Sequence, residues 1–181
     1  MRITRDNNKA LTLIEALIWF ALLATLVFFA FVAYNSYSKD QKIYTVDTEL
    51  QYVYKKMNAL LYSTPKTDVA KFSITKTDLI EFGVYPPILK SKSNGFTISV
   101  FGKMHIAYKN GTGQEIYSVT YYEIPKGDVC SKIIISQKSV GWTRVNALAA
   151  ANMGKPASIC NGTGNVDLEF WAAPYQPDTM N

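Results

Sequence analysis

The longest hydrophobic run in this chain covers residues 10–34, and Glu15 is the only charged side chain within it. No further charge occurs before Lys39, and neither Gly nor Pro occurs between Leu11 and Ser63. A helical run of this length is sufficient to span about 30 Å of hydrocarbon. A carboxylate near the end of such a span costs up to about 3 kcal/mol, so its presence indicates a function.

Beyond Lys39 the apolar positions continue on one helical face only, at alternating intervals of three and four residues. They are Ile43, Val46, Leu50, Val53, Met57 and Leu60, and the charged residues Lys42, Asp47, Glu49, Lys55 and Lys56 fall off this stripe. We therefore predict one helix from Leu11 to Ser63, ended by Pro65. The stripe is interpreted as a seam that packs on a sheet, with a coiled-coil dimer interface as the alternative.

After residue 63 the pattern predicts a connecting region followed by an antiparallel sheet. Strands are predicted at 95–101, 103–108, 116–124 and 166–170, with a hairpin turn at 110–113. Short helices are predicted after Thr77 as N-cap, from Pro125 onwards and from Pro156 onwards. Gly83 is predicted to stop the first of these helices and Asn161-Gly162 the last. The tail 174–181 is predicted to be loose.

The first ten residues of the chain form a basic leader that contributes +2 of the net charge of +5. A basic segment before an apolar run keeps the amino end in the cytoplasm. An ordinary secretory signal is not favoured, because Ala30 and Ala33 lie between bulky residues and leave no A-x-A-like cleavage site. A plain single-span anchor with a stray carboxylate is the remaining alternative. The charged residues of the leader are the basic Arg2, Arg5 and Lys9 and the acidic Asp6.

The segment around residue 10 resembles the type IV prepilin signature. A small residue, Ala10, is followed by Leu11, by Thr-Leu-Ile-Glu ending at Glu15, and by a long apolar helix. The resemblance implies cleavage between Ala10 and Leu11 by a prepilin peptidase and N-methylation of Leu11. It also implies that Glu15 is an assembly charge, able to pair with an α-amino group inside the membrane. Ala10 stands where the family usually has Gly.

The remainder of the chain is most similar to the type IVb pilins, which include bundle-forming and conjugative thin-pilus subunits. The similarity is carried by the turn at 79–83 before a proline, by the strand 117–124 that leads into the helix with Cys130, and by the Pro-led helix with Cys160. It implies an α+β fold with a long N-terminal helix packed on an antiparallel sheet. The expected order is a leader at 1–10, a transmembrane or filament-core half at 11–34 and an amphipathic half at 35–63. The connecting region, sheet and disulfide-closed C-terminal region follow at 64–181.

The two cysteines, Cys130 and Cys160, predict one disulfide, because an even count on the exported side of a membrane protein indicates an oxidising compartment. Two buried free thiols are the alternative. No metal site is predicted, since the single histidine, His105, has no partner ligand at useful spacing. No catalytic constellation and no phosphate-binding glycine motif is found, so neither an enzyme nor a cofactor is expected. The basic residues are scattered, which argues against specific nucleic-acid binding.

The expected function is that of a structural subunit of a bacterial type IV pilus, or fimbrium, polymerised through its N-terminal helix. Its expected partners are further copies of itself, the prepilin peptidase, the inner-membrane assembly machinery and the membrane. The precursor is expected in the inner membrane and the mature subunit in an extracellular filament. A minor pilin or secretion-system pseudopilin is one alternative, and a membrane-anchored periplasmic binding or sensor domain is another. Cell adhesion, aggregation, mating-pair contact, DNA uptake and motility all stay open as tasks of the fibre.

Overall fold

The computed structural model describes residues 6–63, 76–86, 90–91, 97–108 and 117–173. The chain divides into two compact units, Met1–Gln41 and Lys42–Asn181. The predicted hairpin turn at 110–113 and the predicted loose tail at 174–181 lie outside the described residues.

The first helix, α1, covers Asp6–Ser63. It begins five residues before the predicted start, since residues 6–10 also contain no helix-breaking Gly or Pro. The predicted stripe is buried in the second unit: Val46, Leu50, Val53 and Met57 are fully inaccessible to solvent. At the end of the stripe Leu61 is buried, whereas the predicted Leu60 is only partly buried. Leu61 continues the buried face because it lies four residues after Met57. The stripe packs into the chain's own core, as the sheet-packing interpretation requires.

Seven strands form one sheet in which every pairing is antiparallel, in the order β1-β2-β3-β4-β7-β5-β6. The strands are β1 (Lys90–Ser91), β2 (Thr97–Ile98), β3 (Lys103–Tyr108), β4 (Tyr117–Pro125), β5 (Arg144–Val145), β6 (Leu148–Ala149) and β7 (Asn165–Ala172). The longest strands, β4 and β7, lie side by side at the centre. The fold is therefore α+β, with a long N-terminal apolar helix and an antiparallel sheet, as predicted.

The described structure also contains three short α-helices, α2 (Lys76–Glu81), α3 (Asp128–Ser136) and α4 (Ala157–Cys160), and two short 3₁₀ helices at Gln137–Ser139 and Ala150–Asn152. Helix α4 follows Pro156 and ends before Asn161, as predicted. Thr77 lies inside α2 and is not its N-cap, while Gly83, with φ of +64°, ends that turn as predicted.

The sequence-based assignment is wrong at two further places. Pro125 does not begin a helix; it ends β4 opposite Asn165, and α3 begins at Asp128 after Gly127, whose φ is +87°. A strand end tolerates Pro because its missing N–H removes only a terminal ladder bond. The strand predicted at 95–101 stops at Ile98 in the described part, because Ser99 and Gly102 close a turn with reciprocal backbone hydrogen bonds of 2.7 and 3.3 Å.

The C-terminal region is held together by a disulfide and an aromatic cluster. Cys130 in α3 and Cys160 in α4 are bonded, as predicted, with their Cα atoms 5.6 Å apart. Trp142 lies in the core and contacts the rings of Tyr54, Tyr117 and Phe170 at centroid distances of 5.0, 6.0 and 5.6 Å. These contacts tie α1, the sheet and the disulfide-closed loop into one core.

Candidate functional site

The first unit presents an apolar helix surface on every side. Each large hydrophobic side chain from Leu13 to Tyr37 is at least 49% exposed. They are Leu13, Ile14, Leu17, Ile18, Trp19, Phe20, Leu22, Leu23, Leu26, Val27, Phe28, Phe29, Phe31, Val32, Tyr34 and Tyr37. Soluble monomers rarely expose so large an apolar surface, and a helix that is apolar all round is normally surrounded by lipid or by other helices. By length and composition this helix is able to cross a membrane.

Glu15 is the only charged side chain of residues 11–38 and lies exposed within this surface. Thr12, Ile18 and Trp19 are its neighbours three or four positions away along the helix. Ala10 and Leu11 lie in the same helix, and Leu11 is one turn before the carboxylate, about 6 Å along the axis. The three residues of the predicted processing and assembly site thus share the first turns of α1.

Removal of residues 1–10 would change the charges around Glu15. Lys9 would be lost with the leader, and the next basic side chain, Lys39, lies 24 residues away, or about 36 Å along a helix. A new α-amino group at Leu11 would then supply the only positive charge in the apolar half. This arrangement is suited to pairing the carboxylate with an amine.

Thr25 is the other polar side chain in the middle of the apolar half, and the helix satisfies it locally. Its hydroxyl donates a 2.7 Å hydrogen bond to the carbonyl oxygen of Leu22. A hydroxyl bonded back to its own helix needs no partner in lipid or in a helix bundle. Thr25 is therefore a polar group that its own helix satisfies, whereas Glu15 is the charged group of the apolar half.

The second unit contains a buried carboxylate that the sequence analysis placed off the apolar stripe. Glu49 is 4% exposed, and its Oε2 atom accepts hydrogen bonds from the hydroxyl groups of Tyr121 (2.7 Å) and Ser99 (2.9 Å). Its Oε1 atom has no hydrogen-bond partner in the described part of the chain. Burial raises the pKa of this carboxyl above its usual range, and the two hydrogen bonds oppose the shift in part.

One sequence signal was available for the position of Glu49. It lies three residues after Val46 and four before Val53, so it borders the buried face. The partner that accommodates it, Tyr121, is 72 residues away in the sequence, and only the fold brings the two together.

Further polar contacts fasten the amphipathic half of α1 to the elements around it. Asp47 accepts a hydrogen bond from the side-chain amide of Gln137, whose oxygen accepts one of 2.8 Å from the indole of Trp142. The hydroxyl of Tyr54 donates to the carbonyl oxygen of Gly141 at 3.2 Å, and that of Tyr52 to Gly83 at 2.9 Å. These contacts position the helix and form no reactive centre.

No cluster of three or more His, Cys, Asp or Glu side chains suitable for a metal occurs among the described residues. His105 lies partly buried in β3 opposite Thr120, and both cysteines are in the disulfide. The predicted processing and assembly residues belong to the first unit, and the disulfide belongs to the second.

Comparison with known proteins gives no relative: no family profile, no curated protein and no solved structure matches this chain.

Proposed function

We propose that this chain is a type IV pilin-like subunit that is inserted in the inner membrane as a precursor, cleaved between Ala10 and Leu11, and polymerised through α1 into an extracellular filament. The observation that carries the proposal is the exposed apolar helix with Glu15 as its only charge over residues 11–38. Such a surface fits lipid in one stage and a bundle of identical helices in the next.

The two halves of α1 have separate tasks in this proposal. Residues 11–34 form the membrane span of the precursor and the filament core of the mature subunit. In the second half, the side chains of Val46, Leu50, Val53 and Met57 are buried in the subunit's own core. The second unit is thereby folded before assembly, so that polymerisation requires only the exchange of lipid for neighbouring helices around the first half.

Glu15 sets the register in which the helices of neighbouring subunits pack. A carboxylate in an apolar core is heavily penalised when unpaired, whereas one opposite an α-ammonium group is partly compensated. Subunits are therefore drawn to the position in which the Glu15 carboxylate of one copy meets the Leu11 amine of its neighbour. Other registers leave two charges buried without partners.

The predicted subgroup is type IVb, and two features of the second unit support it. Helix α3 follows the central strand β4 and carries the first cysteine, and the short helix α4, after Pro156, carries the second just before β7. The disulfide closes a loop of 30 residues, as expected for the C-terminal region of such a subunit.

The test is a comparison of Glu15→Ala with Thr25→Ala in cells that produce the filament. Both changes remove a polar group from the apolar half, but only Glu15 carries a charge, and the hydroxyl of Thr25 is already bonded to its own helix. Glu15→Ala should accumulate in the inner membrane, with its leader removed, and should be absent or strongly reduced in the sheared filament fraction. Thr25→Ala should assemble normally.

Wild-type numbers and lengths of Glu15→Ala filaments would contradict the pairing mechanism. Wild-type protein that retains residues 1–10 and occurs in no filament would contradict the pilin-like function and favour an anchored binding or sensor domain. If the chain occurs in filaments only as a rare component, it is a minor pilin. If it occurs only in the filaments of a secretion system, it is a pseudopilin.

A further inference from the structure

Two tyrosines, Tyr34 and Tyr37, lie where the apolar half of α1 ends and its amphipathic half begins. Tyr34 and Tyr37 are 69% and 64% exposed and lie three residues apart, so they share one side of the helix. They come after Val32, the last large aliphatic residue of the run, and before the first charges, Lys39 and Asp40.

The separation between Glu15 and these tyrosines matches the thickness of a bilayer. Tyr34 lies nineteen positions after Glu15, which corresponds to about 28 Å along an α-helix. The hydrocarbon core of a typical bilayer is about 30 Å thick. The carboxylate and the first phenol therefore stand at opposite boundaries of a layer of that thickness.

We propose that Tyr34 and Tyr37 bind the phospholipid headgroup region at the outer face of the membrane and, together with Glu15 at the inner face, fix the depth of the subunit before assembly. This inference rests on the membrane stage of the proposed function. Tyrosine suits such a position because its ring is apolar and its hydroxyl requires hydrogen-bond partners, and both needs are met at the headgroup level.

The two ends of the span act in opposite directions. Glu15 resists any movement toward the outer face, because that would draw its carboxylate into hydrocarbon. Tyr34 and Tyr37 resist movement toward the inner face, because that would draw their hydroxyl groups below the headgroups. Together they keep the Glu15 carboxylate hydrated until the helix leaves the membrane.

Tyr44 provides a matched control. Its side chain is exposed to a similar extent, 67%, but it follows Lys39, Asp40 and Lys42 in the sequence and thus lies past the first charges. Its replacement removes an exposed tyrosine without removing the proposed anchor.

The experiment measures the depth of Trp19 in vesicles of phosphatidylcholine and phosphatidylglycerol whose lipids carry bromine at different acyl positions. Trp19 lies one turn inside Glu15, and bromine quenches tryptophan fluorescence at short range. The full-length chain is compared with Trp19→Phe, so that the signal from the buried Trp142 and Trp171 is subtracted. The variants are Tyr34→Ala/Tyr37→Ala and Tyr44→Ala.

The double variant should move Trp19 toward the inner headgroups by up to one helical turn, about 5 Å, because only the preference of Glu15 for water then sets the depth. Tyr44→Ala should leave the quenching profile unchanged. An unchanged profile in the double variant, or an equal shift in Tyr44→Ala, would overturn the anchor while leaving the pilin-like function intact. Failure of every bromine position to quench Trp19 in the wild-type chain would contradict the membrane stage itself, and the anchor with it.

Discussion

The hydroxyl of Tyr121, at the centre of the sheet, donates a 2.7 Å hydrogen bond to the carboxylate of Glu49 on α1. The bond joins the amphipathic half of the helix to β4 inside the core, where Tyr121 is 1% and Glu49 4% exposed. Burial raises the pKa of Glu49, and the hydrogen bonds from the hydroxyl groups of Tyr121 and Ser99 oppose this shift. Burial therefore makes the ionised form of Glu49 costlier in the folded subunit than in the unfolded chain.

Replacement of Glu49 by Gln should change how stability depends on pH. Since the folded-state pKa of Glu49 is raised above its ordinary value of 4.5, its contribution to stability is fully present below about 4.5 and is lost as the pH rises through the folded-state pKa. The free energy of unfolding of Glu49→Gln should therefore increase relative to that of the wild type as the pH rises through the range above about 4.5.

The measurement is denaturant unfolding of the full-length chain in detergent micelles, followed by the fluorescence of the buried tryptophans. Glu123→Gln, which removes an exposed carboxylate, is the control for loss of one negative charge. The prediction would be contradicted if the free energy of unfolding of Glu49→Gln relative to wild type stayed constant over this pH range or fell as the pH rises. Either result would show that Glu49 is ionised in the folded subunit without a free-energy penalty.

Loss of the disulfide should destabilise the second unit. Cys130→Ser or Cys160→Ser should lower the free energy of unfolding by about 2–5 kcal/mol, because the bond restricts a 30-residue loop in the unfolded chain. A reducing agent should destabilise the wild type by a similar amount and leave the variants unaffected. Labelling of both cysteines by a thiol reagent in folded, exported protein would contradict the prediction.

Gly141→Ala should disturb the contact between α1 and the loop that leads to β5. Gly141 has φ of +117°, and a Cβ atom there would lie 2.8 Å from the Cζ atom of Tyr54 and closer still to its hydroxyl oxygen. Tyr54 would have to give up its hydrogen bond to Gly141 and its packing on Trp142. We expect a loss of about 1–3 kcal/mol in the free energy of unfolding.

Gly162→Ala is the matched control for that change, since Gly162 also has a positive φ, +99°, but a Cβ atom there meets nothing within 4 Å. It should show the backbone strain alone and lose less stability than Gly141→Ala. Equal losses of unfolding free energy in the two variants would mean that the contact between Gly141 and Tyr54 does not contribute to stability.

Much of the fold follows from local patterns in the sequence. The helical stripe identified Val46, Leu50, Val53 and Met57 as core residues because 3.6-residue periodicity does not depend on distant partners. The predicted bounds of β3 agree with the structure for the same reason, since alternation and turn residues are local signals.

The errors arose where distant contacts outweigh local preference. Pro125 favours a helix start in isolation, but pairing with Asn165 extends β4 through it. Glu49 suits a solvated helix face in isolation, yet two hydroxyl groups from other elements accommodate it in the core. In the candidate site, Ala10, Leu11 and Glu15 were recognised from a sequence motif, and cleavage and methylation there remain predictions.

Replacement of Ala10 by Gly should leave processing of the precursor intact or make it faster. Both residues are small, and Gly has the greater backbone freedom to leave the helix in which residues 10 and 11 lie. Pulse labelling of the precursor and its shortened product measures the rate. Slower cleavage of Ala10→Gly than of the wild type would contradict a processing site at this bond.

The proposed function depends above all on cleavage of the chain before Leu11, followed by polymerisation. Mass analysis of the intact subunit in sheared extracellular filaments tests it most directly. The filament subunit should lack residues 1–10, begin at Leu11 and carry one additional methyl group on its amino end, with the disulfide between Cys130 and Cys160 in place. Filament subunits that begin at Met1, or at any residue beyond Glu15, would contradict the proposed function.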